Sequence, residues 1–209
     1  MLKEIRMKVL IKYFVIKLLL LFSLALFPIV YSSLAYAHTG IDTQNGWVHG
    51  FIHPVGGLDH VLAMIAVGLW ATQIGGRVVW LVPFTFVAVM TLGGLAGIIA
   101  VPFGYTEVGI IISLLVFGML IAASIRLPVI VSAIIVAIFA FCHGYAHGAE
   151  MSQHISGFTY ALGFVSATVL LHALGIGIGI FIKHKGSVQW LRLAGMGVIL
   201  YGSSMVLIG

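Results

Sequence analysis

The chain has 209 residues, 62% of them hydrophobic and 7% charged, with a mean hydropathy of +1.22. A water-soluble domain carries about 25% charge, so this composition excludes one and describes an integral membrane protein. The formal net charge of +5 falls mostly in the first 17 residues and then in short loops, which gives nucleic-acid binding no support.

The amino-terminal 17 residues hold Lys3, Arg6, Lys8, Lys12 and Lys17 against a single Glu4. An apolar run over 18–30 follows, containing Pro28, and then Ala35-Tyr36-Ala37. A basic n-region, a short apolar stretch and an A-x-A end describe a secretory signal peptide over 1–37, cut before His38. The alternative is an uncleaved first membrane helix, since 11–30 is long enough to cross about 30 Å of hydrocarbon. Either way His38 lies outside the cytoplasm. Cleavage would give it a free α-amine beside its imidazole, a pair able to chelate one divalent ion; otherwise it is a residue tolerated after the cut.

Residues 38–209 read as a single membrane domain with six apolar stretches of spanning length, at 54–72, 78–100, 107–124, 127–147, 156–182 and 188–208. The breaks carry turn chemistry, including Gly75-Gly76, Pro102-Phe103-Gly104, Pro128 and Lys183-His184-Lys185-Gly186. The expected fold is an all-α polytopic membrane protein, a bundle of six transmembrane helices after a cleavable signal peptide. With His38 outside, alternation puts Arg77, Arg126, Lys183, Lys185 and Arg192 at cytoplasmic ends, as the positive-inside rule requires. Asp42, Asp59, Glu107 and Glu150 fall at or near the outer ends. Gly93 and Gly97, and Gly175, Gly177 and Gly179, read as close helix packing.

Two clusters carry chemistry. His53, Asp59 and His60 open the first span, with His49 just before them and Pro54 suited to a helix's first turn. On one continuous helix, positions seven apart share a face, so His53 and His60 point the same way. Asp59 is placed to ligate or to orient a ligating histidine. The second cluster ends the fourth span, where His143, His147, Glu150 and His154 form one stripe if the helix persists that far, with Gly144 and Gly148 leaving room beside it. Both clusters face the same side of the membrane. Ionisable residues within spans are functional-site candidates by default.

The only cysteine, Cys142, excludes a thiolate-rich site, and nine histidines against five acids make imidazole the leading ligand. Imidazole with carboxylate suits nickel, cobalt, zinc or copper(II). The expected ligands are His53, His60, His143 and His147, with Asp59 and Glu150 ligating directly or through a neighbour. Glu107 opens the third span on the same side, either as a first ligand for an arriving ion or as a solvated carboxylate near a helix dipole. His49 and His154 read as peripheral and His184 as solvated. His172 lies inside the fifth span, as a hydrogen-bonded structural residue or as an inward extension of the ion path.

The sequence resembles the HupE/UreJ group of nickel and cobalt permeases. The resemblance rests on His38-Thr39-Gly40, on HPVGGLDHVLAMIAVGLWA from His53 to Ala71, and on FCHGYAHGAE from Phe141 to Glu150. It implies transport of Ni²⁺ or Co²⁺ from periplasm to cytoplasm across the bacterial inner membrane, supplying hydrogenase, urease or cobalamin synthesis. The ion would be cargo, with no catalytic cofactor. The group's motif residues fall on His53, Asp59, His60, His143, His147 and Glu150. No G-x4-G-K loop is present, so the chain carries no ATPase of its own. The rival readings are a membrane-embedded zinc hydrolase and a metal-binding sensor or chaperone subunit. The partners expected are the divalent ion and the lipid bilayer.

Overall fold

The computed structural model describes residues 46–151, 155–186 and 188–208. The signal peptide expected over 1–37, His38 and His154 lie outside them. Seven helices run through the described residues: α1 (Gly46–Gly56), α2 (Leu58–Ile74), α3 (Val78–Ile98), α4 (Thr106–Ala122), α5 (Val129–Ala149), α6 (Gly157–His184) and α7 (Val188–Ile208).

The chain is a multi-pass membrane protein. Helices α3, α5, α6 and α7 are each long and apolar enough to cross a bilayer. Helices α1 and α2 meet at an 82° bend and reach that length only as a pair. Helix α4 is apolar but has 17 residues, about 25 Å of helix against about 30 Å of hydrocarbon. Exposed Trp47 and Tyr105 at one end, and Trp80 and Trp190 at the other, sit where interfacial aromatic belts are found.

The expected first span, 54–72, is therefore not one helix. Pro54 lies inside α1, two residues short of its end at Gly56, instead of opening a span. Its ring nitrogen cannot bond the Gly50 carbonyl, and Gly56 and Gly57 follow at once, so three poor helix formers fall within four residues. The helix breaks at Gly57, which adopts an extended conformation (φ −102°, ψ 119°) before α2 begins.

Helix α2 is the central element. Ala63, Met64, Val67 and Trp70 are fully buried along it, and α3, α4, α6 and α7 all touch it. Around this axis α3 packs along α5, α1 along α6, and α4 along α7. In lipid, burial of apolar surface does not drive helices together, and close backbone approach takes its place. A Cβ on Gly144 would strike the Met90 carbonyl, and one on Gly148 the Gly94 carbonyl. These two glycines serve the α3–α5 seam, and the space expected beside the histidine stripe is filled by the backbone of α3.

The end opposite the histidines is tied by side chains. Trp70 Nε1 donates to the Ile125 carbonyl at 2.9 Å, and Gln73 Nε2 donates to the Ile121 carbonyl at 3.1 Å and to Ser124 Oγ at 3.0 Å. Arg192 Nε donates to the same Ser124 oxygen at 3.1 Å, and Lys183 Nζ to the Thr72 carbonyl at 2.9 Å. Carbonyls left over at the ends of α2 and α4 are thereby satisfied, and the basic residues lie near the negative ends of helix dipoles.

Candidate metal centre

At the other end, the bend between α1 and α2 brings together side chains that a straight helix would space two turns apart. The His53 and His147 rings lie 4.6 Å apart between centroids, His60 and His147 4.4 Å, and His60 and His143 5.2 Å. Four imidazoles thus form a connected run, His53–His147–His60–His143. The expectation that His53 and His60 share one helix face is corrected: they sit on different helices, and the turn at Gly57 aims both at His147.

The carboxylates take different places. Glu150, the residue that caps α5, accepts from His53 Nε2 at 3.0 Å. His53, His147 and Glu150 each present a ligand atom within 4.8 Å of the others. Asp59 Oδ2 lies 2.9 Å from His60 Nδ1. That contact holds the proton on Nδ1 and turns the Nε2 lone pair toward the interior, the usual arrangement of a carboxylate that orients a metal-binding histidine.

His143 is prepared in the same way by its own helix. Its Nδ1 donates to the Phe139 carbonyl at 2.9 Å; a carbonyl can only accept, so Nε2 carries the lone pair. Among the described residues, the Nε2 atoms of His60 and His143 and both ring nitrogens of His147 are buried with no hydrogen-bond partner. A buried polar atom without a partner costs about 1–3 kcal/mol, and groups of them in one place are rare in native proteins. Converging lone pairs of this kind suit a divalent transition ion, with Glu150 and Asp59 balancing its charge.

Not every expected residue joins. Glu107, on the first turn of α4, is exposed and makes no hydrogen bond or ion pair among the described residues. His49 lies one turn before His53 on α1, half-buried, with its Nε2 unpartnered among the described residues. The stripe begun by His143 loses its helix after Ala149, and His154 lies outside the described residues. His172 is buried farther along the bundle, its Nδ1 donating to the Thr168 carbonyl at 2.8 Å.

Three aromatic residues that the sequence did not single out enclose the cluster. Phe164 of α6 packs on His147 at 4.3 Å, Tyr160 faces His53 at 6.1 Å, and Phe86 of α3 lies 5.6 Å from His143. Each stands in a run of apolar residues where nothing in the pattern separates it from its neighbours.

A family model described as HupE / UreJ protein matches residues 24–205. Protein HupE of Rhizobium leguminosarum bv. viciae is 41% identical over 174 residues, covering 83% of this chain and 91% of the relative. No solved structure matches the chain.

Proposed function

The chain belongs to the HupE/UreJ family, and from that membership we propose that it is a permease that carries Ni²⁺, or Co²⁺, from the periplasm to the cytoplasm for metalloenzyme or cobalamin supply. The observation that carries the reading is the run of four imidazoles at one end of a membrane-spanning bundle, three of them, His60, His143 and His147, with buried ring nitrogens that have no hydrogen-bond partner among the described residues. A hydrated ion reaching that end exchanges waters for His53 and His147, with Glu150 as the carboxylate nearest solvent. His60 and His143 then take it deeper, and the Asp59–His60 pair offsets charge in the bundle interior.

Transport is favoured over hydrolysis by what surrounds the cluster. A hydrolase needs polar groups to hold a substrate beside its metal-bound water. Here Phe86, Phe164 and Tyr160 line that space. In this reading the protein is an inner-membrane carrier with His53 and Glu150 on the periplasmic side and acts without catalysis.

The test is uptake of labelled nickel and cobalt by cells expressing the intact chain, His53→Ala or His147→Ala. Loss of a group that merely orients a ligand lowers metal affinity by about 10–100-fold, and loss of a ligand costs no less, so both variants should accumulate at least about tenfold less ion than the intact chain at limiting concentration. Equal accumulation by the intact chain and by empty cells would sink the proposal.

A further inference from the structure

The histidine run stops at His143, but the aromatic contacts do not. Phe86, fully buried on α3, lies 5.6 Å from the His143 ring on one side and 4.9 Å from the His172 ring on the other. His172 stands eight residues beyond Phe164 on α6, about 12 Å farther along the axis toward the basic end. It repeats the preparation seen at His143, and with a carboxylate at His60: Nδ1 holds its proton on the Thr168 carbonyl, and Nε2 is buried without a partner among the described residues.

A histidine needed only for packing would be cheaper as leucine in a membrane interior, where unpartnered polar atoms are expensive. The surroundings of His172 offer an ion more than packing. One turn closer to the outer cluster, the Thr168 hydroxyl, which donates to the Phe164 carbonyl at 3.0 Å, and the Met90 thioether lie 3.6 Å apart, Met90 standing one turn from Phe86 on α3. On its other side, His172 borders a groove of about 600 Å³ between α3 and α6, where it is the one titratable residue among otherwise apolar lining such as Pro83, Val169 and Ile176.

We propose that His172 is an inner metal station, reached from the outer cluster past the Phe86 ring, with His172 Nε2 as its principal ligand and the Met90 sulfur and Thr168 hydroxyl flanking the step. This rests on the permease reading. The outer cluster captures the ion with several donors; the inner station holds it with few. Fewer donors mean weaker binding, which favours onward release toward the basic end.

Two variants of the full-length protein test the station, both made so that the outer cluster is untouched. In a Cys142→Ser background, His172→Cys places a thiolate at the station. Cobalt(II) added to the purified protein should then produce a near-ultraviolet thiolate-to-cobalt charge-transfer band that Cys142→Ser alone lacks, and its absence overturns the proposal. His172→Ala should keep the tight Ni²⁺-binding phase of the outer cluster and lose a weaker second phase that the parent shows, while cellular uptake falls about tenfold or more, the scale of removing one metal-supporting group. Unchanged uptake overturns the station, and so does loss of the tight outer-cluster phase together with uptake, which would make His172 structural. If the parent itself neither binds nor accumulates nickel, the permease reading fails instead, and the two failures are told apart.

Discussion

His60, His143 and His172 share one device: a proton fixed on Nδ1 by a neighbouring oxygen, and a lone pair on Nε2 directed into the protein. The oxygen differs, a carboxylate for His60 and a main-chain carbonyl for the other two, so only His60 depends on a second side chain. Gly57 guards that dependence. A Cβ there would come within 2.6 Å of Asp59 Oδ1 and 3.0 Å of His60 Nδ1, although the backbone conformation suits any residue. Gly57→Ala should weaken nickel binding by about tenfold or more, as loss of an orienting partner does, with thermal stability nearly unchanged; binding isotherms and melting curves on the same sample check both halves. The sequence made His53, Asp59, His60, His143, His147 and Glu150 legible because ionisable residues stand out against hydrocarbon. Phe86 and Phe164 were not legible, because an aromatic residue in a membrane span carries no mark of what it touches.

At the scale of elements, the break between α1 and α2 decides the site more than helical periodicity does. Spacing of seven picked out His53 and His60 as a pair on one helix face, whereas the structure brings both to His147 from two different helices. The signal for the break was present in Pro54, Gly56 and Gly57, yet hydropathy runs straight through all three, and hydropathy is what defines a span. The α3–α5 seam holds the second half of the centre. Its glycines place backbone against backbone, so added volume has nowhere to go. Gly144→Val should destabilise the protein by about 1–3 kcal/mol, the range for overpacking, seen as a lower melting temperature in detergent. Gly197→Ala, on an α7 face where a Cβ meets nothing within 4 Å, is the control and should leave melting unchanged or slightly higher.

The whole molecule has two unlike ends, one with histidines and carboxylates and the other with Arg77, Arg126, Lys183, Lys185 and Arg192. That division was readable from charge alone, and the helix order agrees with it. Which end faces out can be measured with a membrane-impermeant maleimide, since the native Cys142 is buried. In intact cells with a permeable outer membrane, Tyr105→Cys should label, and Lys185→Cys should label only after the inner membrane is opened. The reverse pattern would invert the proposed direction of transport. Finally, the His53–Glu150 contact joins residues 97 apart in the chain. As the protein leaves the ribosome and enters the membrane helix by helix, α1 and α2 arrive with their histidines but without His143, His147 and Glu150. Those come only with α5. On the proposed function, metal competence is therefore a late event in biogenesis, and a chain arrested after α4 is expected to hold half of the candidate centre and to carry no ion.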